Sequence, residues 1–236
     1  MPHVHRFAIL LALIAFSLTA PTAPLAETWD EVMGEPTVFM NDLCMLPDGD
    51  HGWAVGTTSY GGEVLSSIVR TTDGGADWER LDFAYETSAA LNGVAFVSTS
   101  RGWVVGEQGR IFATTDGGAT WTPQTSGTNR KLSKVFFLDA QQGWITGGWG
   151  DGSSYLVLKT TDGGTSWQNQ SFGSTCHSNE DICFADPLNG WIVGRDSSIE
   201  PQIHRTTDGG QSWVRQTVPQ GAGIPVGVDF VSSSEG

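Results

Sequence analysis

The segment Thr-Thr-Asp-Gly-Gly-x-x-Trp occurs four times, at residues 71–78, 114–121, 160–167 and 206–213, and it constrains the fold more than any other feature. Its aspartates, Asp73, Asp116, Asp162 and Asp208, are spaced by 43, 46 and 46 residues. Upstream of each copy stands a Gly-Trp pair: Gly52-Trp53, Gly102-Trp103, Gly143-Trp144 and Gly190-Trp191. A short apolar run precedes each pair, at 43–46, 94–97, 135–138 and 182–185, and a fifth such run stands at 228–231. Each unit therefore offers four short strand candidates. Four strands in a unit of about 40–50 residues is the signature of a propeller blade. Helical solenoids need a 3.6-residue apolar period that the units lack.

The motif reads as a hairpin tip. An Asp side chain accepts N–H bonds from its own turn, and Gly supplies the positive φ that the turn needs. Thr hydroxyls add local bonds, and Trp78, Trp121, Trp167 and Trp213 cover the tips with apolar surface. This assigns Asp73, Asp116, Asp162 and Asp208 to structure rather than chemistry. One carboxylate per turn also falls short of the six to eight oxygens of a calcium site. No catalytic, cofactor or metal residues are assigned.

The expected fold is all-β, a β-propeller of four-stranded antiparallel blades. Residues 1–26 read as a secretory signal, with a basic start, an apolar run and a small-residue end. The propeller then occupies 27–236, with units near 41–84, 93–126, 133–172 and 180–218 and the start of another at 226–236. Trp29 matches the motif tryptophans in register, so an outer strand precedes the first unit. That gives about four and a half blades, expected to be a fragment of a larger ring. Three cysteines allow one intrachain disulfide, and Cys176 with Cys183 is the candidate pair.

The net charge of −14 argues against nucleic acid, whose phosphates call for basic patches. In an up-and-down blade the first and third connections share one face, and the others share the opposite one. The second connections vary in length here, and loop variation on a rigid scaffold is where binding concentrates. Tyr60, Trp149 and Tyr155, with the basic cluster Arg130, Lys131 and Lys134, are the candidate partner surface. Loop acids Asp151, Glu180 and Asp196 are the groups a glycoside hydrolase could pair across a cleft.

The motif resembles the Asp box, or bacterial neuraminidase repeat, of sialidases, xyloglucanases and sortilin-type receptors. In combination with the Gly-Trp pair at this period, it is most similar to the photosystem II assembly and stability factor family. That resemblance implies a seven-bladed, exported or lumenal, non-enzymatic scaffold for protein–protein interaction. Its location would be periplasmic or extracellular, or lumenal in a photosynthetic organism. It implies no cofactor, a protein partner, and no stable membrane insertion once the signal is cleaved. The strongly acidic balance departs from the basic patch of the photosynthetic members. The alternative is a carbohydrate-active or carbohydrate-binding propeller of sialidase or xyloglucanase type, with a glycan ligand. The chain lacks the N-terminal motif that a sialidase resemblance calls for.

Overall fold

The computed structural model describes residues 37–60, 63–85, 88–148, 155–170, 176–196, 198–219 and 221–230. The segment 1–36, with the expected signal and Trp29, lies outside them, as does Trp149. Four antiparallel four-stranded sheets follow one another along the chain. The first holds β1 (Thr37–Met45), β2 (Gly52–Tyr60), β3 (Glu63–Thr71) and β4 (Glu79–Arg80). The second holds β5 (Leu91–Phe96), β6 (Gly102–Gly106), β7 (Ile111–Thr114) and β8 (Thr122–Gln124). β9 (Leu132–Phe137), β10 (Gly143–Gly147), β11 (Leu156–Thr160) and β12 (Gln168–Gln170) form the third. The fourth comprises β13 (Cys176–Phe184), β14 (Gly190–Asp196), β15 (Pro201–Thr206) and β16 (Val214–Arg215).

Within each sheet the strands run in sequence order, and the first strands of successive sheets lie against one another. This is the up-and-down blade of a propeller. Burial follows from it. The residues of β5 and β6 are buried on both faces, because a neighbouring sheet covers each side, so period-two alternation disappears there. The short outermost strands stay exposed.

Every first strand carries an irregularity in its pairing with the second, at Asn41, Asn92, Ser133 and Glu180. A bulge leaves one residue unpaired in the ladder and bends the strand. Two of the four bridge to the next blade: Asn41 Nδ2 donates to the Leu91 carbonyl at 2.8 Å, and Asn92 Nδ2 to that of Leu132 at 3.0 Å.

The blades are joined by an aromatic clamp. The Gly-Trp tryptophan of each blade stacks face to face on a phenylalanine in the first strand of the next. Trp53 lies 3.6 Å from Phe96, Trp103 3.4 Å from Phe137, and Trp144 3.7 Å from Phe184, centroid to centroid. The same phenylalanines meet the Asp-box tryptophan of their own blade edge-on, Phe96 with Trp121, Phe137 with Trp167 and Phe184 with Trp213. Edge-to-face and offset contacts of this kind add to the burial of large apolar area. The glycine before each tryptophan makes room for the clamp: a Cβ on Gly102 would fall 2.5 Å from the Phe96 ring.

The expected disulfide is not made. Cys183 is a buried thiol whose Sγ lies 3.7 Å from Asp229 Oδ1. Cys176 and Cys183 sit in one extended strand, β13. Seven residues of strand separate their Cα atoms by about 20 Å, where a disulfide needs less than about 7 Å.

Candidate functional site

The four Asp boxes share one wiring. The hydroxyl of the first threonine donates to the aspartate, as from Thr114 Oγ1 to Asp116 Oδ1 at 2.8 Å, and accepts the N–H of the second glycine, Gly118, at 2.9 Å. The carboxylate also accepts the backbone N–H and hydroxyl of Thr120, at 2.8 and 2.6 Å. Thr71, Thr160 and Thr206 repeat the arrangement with Asp73, Asp162 and Asp208. Both glycines of every box have positive φ, 73° and 93° at Gly117 and Gly118. Such bonds favour the ionised carboxylate. The Ser166 hydroxyl and N–H, with Thr160, hold the Asp162 carboxyl down at about 2. At Asp208 burial pushes upward, but the bonds from Ser212 and Thr206 outweigh it and also leave the group at about 2.

The first glycine of each box faces two ways. Its N–H donates to the first turn of its own blade, as Gly74 to Asp50 O (2.8 Å) and Gly117 to Ser100 O (2.9 Å). The first and third connections therefore share a face. In the second, third and fourth boxes its carbonyl accepts the indole N–H of the preceding blade: Trp53 Nε1 to Gly117 O (3.0 Å), Trp103 Nε1 to Gly163 O (3.1 Å) and Trp144 Nε1 to Gly209 O (3.1 Å). A cation joins at the same carbonyls, Arg70 at Gly117, Arg101 at Gly163 and Lys159 at Gly209. The motif is thus also the socket that receives the previous blade, a role invisible at the level of one turn.

A second turn signature went unread in the sequence. Asp48, Ser98, Asp139 and Asp186 each stand four residues before the glycine of Gly-Trp. Their side chains accept the N–H groups that close the first turn, as Asp139 Oδ1 does from Gln141 (2.7 Å) and Gln142 (2.8 Å). The fixed spacing was the available signal.

The opposite face carries the other connections. Gly148 N–H donates to Lys131 O at 2.9 Å and Glu107 N–H to Ala90 O at 3.0 Å, so each second connection is bonded to a segment entering a first strand. Arg130 and Lys131 are half-buried on this face. Arg130 Nη2 donates to Gly148 O (3.3 Å), and Lys131 Nζ lies 3.2 Å from Glu107 Oε1. Lys134 departs from the expected patch. It lies in β9 and reaches Asp42 Oδ1 of the first blade at 2.7 Å, with both side chains largely buried. The intervening blade has Gly93 there, where a Cβ would stand 3.0 Å from Lys134 Cα.

Tyr155 is a correction. It was expected among exposed aromatics, but its ring is 8% exposed and packs in the core of the third and fourth blades. Its hydroxyl donates to Arg195 O at 2.9 Å and so ties one variable connection to the next. Tyr60 closes β2, and its side chain lies outside the described residues. The exposed groups that sequence reading passed over are Tyr85, tilted against Phe112 at 4.8 Å, and Ile199. Ile199 is 59% exposed at φ 65°, an unusual conformation for a β-branched residue, within a turn closed by Asp196. Of the loop acids, Asp151 lies outside the described residues. Asp196 also accepts Gln202 Nε2 at 3.0 Å, and Glu180 lies 3.8 Å from Arg195. No group of three or more potential metal ligands occurs among the described residues. Likewise, no described helix is long and apolar enough to cross a membrane.

Residues 83–176 match the family model described as photosynthesis system II assembly factor YCF48. The chloroplast photosystem II stability/assembly factor of Arabidopsis thaliana is 32% identical over 94 residues, which is 35% of this chain and 23% of that protein. The photosystem II assembly lipoprotein Ycf48 of a Synechococcus strain is 32% identical over 108 residues, 45% of this chain and 29% of the relative. The matches thus span less than a third of these relatives' length. Among solved structures, YCF48 bound to D1 peptide superposes with a TM-score of 0.58 at 20% identity, covering 77% of this chain and 54% of that one. A glycoside hydrolase of family GH74 from Niastella koreensis gives 0.56 at 13% identity, covering 75% and 38%. The two superpositions show the fold. The fold is that of a BNR-repeat β-propeller, and over 83–176 the sequence is similar to the photosystem II assembly factors.

Proposed function

We propose that the chain is an exported, non-enzymatic scaffold that holds a protein partner on the face opposite its Asp boxes, in the manner of an assembly factor. The observation that carries this reading is the family match over 83–176, which brackets Tyr85, Glu107, Arg130 and Lys131 on that face. Two further points support it. The polar groups of the Asp boxes are engaged in turn and interblade bonds, and the described loop acids Glu180 and Asp196 are engaged with neighbours. The leader-like residues 1–26 support export, as does the lipoprotein naming of one relative. The peptide complex of the YCF48 neighbour makes a peptide the first class of partner to test.

The test replaces Arg130 and Lys131 with Ala and leaves Lys134 in place, since Lys134 holds the bridge to Asp42. Binding of the full chain to a panel of peptides of graded charge would be measured at two salt concentrations. The reading expects at least a tenfold loss in the variant and a shallower salt dependence. Equal affinity in both proteins, at unchanged thermal stability, would overturn this face as the site.

A further inference from the structure

Beside each interblade joint, a residue of the outer strand faces the Asp box of the following blade, and the third joint is equipped differently from the first two. At the first joint Leu81 lies against the box: a Cβ on Gly118 would stand 2.7 Å from Leu81 Cδ1. At the second joint Gln124 fills this place and is bonded at both ends. Its Nε2 donates to Gly163 O at 3.0 Å, and its Oε1 accepts from Trp167 Nε1 at 3.2 Å. Gln170 holds the same register at the third joint, three residues after the Asp-box tryptophan. It turns back onto its own strand instead, with Nε2 donating to Gln168 O at 3.3 Å. The nearest neighbours of a Cβ on Gly210 are accordingly Trp144 and Trp213.

The result is a groove of about 180 Å³ between the third and fourth Asp boxes, lined by Lys159, Thr161, Ser166, Gln168, Gln170 and Gln211. It lies on the Asp-box face, away from the partner face proposed above. Its charge is also unlike that of the first joint. Arg70 and Lys159 hold equivalent places in β3 and β11, and each donates to the carbonyl of the next box. Opposite Arg70 stands Glu79, whose Oε1 accepts from Arg70 Nε at 2.8 Å. Opposite Lys159 stands Gln168, a neutral amide. Lys159 Nζ donates to Gly209 O at 2.9 Å and lies 5.4 Å from the Trp144 ring centroid, and no carboxylate among the described residues pairs with it. An ammonium has three donors, so two remain for a ligand. Burial lowers the Lys159 pKa, and Asp208, already bonded to Thr206 and Ser212, offsets this only in part.

The geometry points to this groove as a binding site for a small hydroxylated carboxylate, of the size and chemistry of a single sugar acid. Its carboxylate accepts from Lys159 Nζ and the Gln168 amide, which gives Lys159 the pairing that Glu79 gives Arg70. Its hydroxyls meet Thr161, Ser166, Gln170 and Gln211, whose amides and hydroxyls can both donate and accept. The volume falls below the roughly 300–1,000 Å³ of drug-sized sites, which suits one sugar ring rather than a chain.

Binding of sodium glucuronate, glucose and acetate to the full chain would be measured by NMR, from shifts of side-chain amide and indole resonances. Glucuronate should bind about tenfold or more tightly than either of the others, since glucose lacks the charge and acetate lacks the hydroxyls. Two substitutions copy the first blade and so suit the fold. Gln168→Glu gives Lys159 an internal partner, and Gln170→Leu restores the apolar residue that lies on the box glycine. Each should weaken glucuronate binding by about tenfold or more at unchanged thermal stability. The site would be overturned by absence of saturable glucuronate binding, by glucose or acetate binding equally well, or by undiminished affinity in either variant. The peptide test above uses the opposite face, so either reading can fail alone.

Discussion

His204 gives the fold a pH dependence that can be worked out in advance. It lies in β15, is 1% exposed, and occupies the position held by Val69, Phe112 and Leu158 in the other blades. Burial, and then the charge of Arg215 opposite it, push its pKa from 6.5 down to about 4. The folded protein therefore keeps His204 neutral where the unfolded chain protonates it. Its contribution is fully present above pH 6.5 and is lost as the pH falls from 6.5 through about 4. At 1.36 kcal/mol per pKa unit, the full shift amounts to about 3 kcal/mol. The carboxylates held low, Asp162 and Asp208 at about 2, act in the same direction, but only below about pH 4, where the unfolded chain begins to protonate them. Urea unfolding followed by tryptophan fluorescence at pH 7, 6, 5 and 4.5 would isolate the histidine. The natural protein should lose about 2–3 kcal/mol across that range. His204→Leu, which copies the third blade, should be nearly flat. Parallel losses in the two proteins would refute the assignment of the slope to His204.

Asp116→Ala removes three acceptor contacts from an exposed turn, and should lower stability by about 1 kcal/mol in urea unfolding with the interblade tryptophans undisturbed. Loss of partner binding at unchanged stability would instead make that aspartate functional. The bridge between Lys134 and Asp42 is largely buried and joins blades one and three. Lys134→Ala should cost about 1–3 kcal/mol, and a double-mutant cycle with Asp42→Asn should recover a coupling of similar size. Additive losses would mean that the pair contributes little.

The blade is legible in the amino-acid sequence. Thr, Asp, Gly, Gly and Trp close a hairpin through bonds spanning four residues or fewer, so one copy of the motif holds all the groups that its turn needs. The spacing then placed the first and third connections on one face, as the bond from Gly74 to Asp50 does in the structure. How the blades join, and which loop residues remain at the surface, depends on contacts between distant parts of the chain. Trp103 and Gly163 lie 60 positions apart and Lys134 and Asp42 lie 92 apart, and no local rule links either pair. Tyr155 follows a stretch rich in glycine and serine, which reads as exposed loop, yet the neighbouring sheet takes its ring into the core. Turn chemistry is short-range in sequence and can be read there. Packing between sheets depends on which side chains meet after some sixty residues of intervening chain have folded, and this chain's candidate partner face is built at that scale.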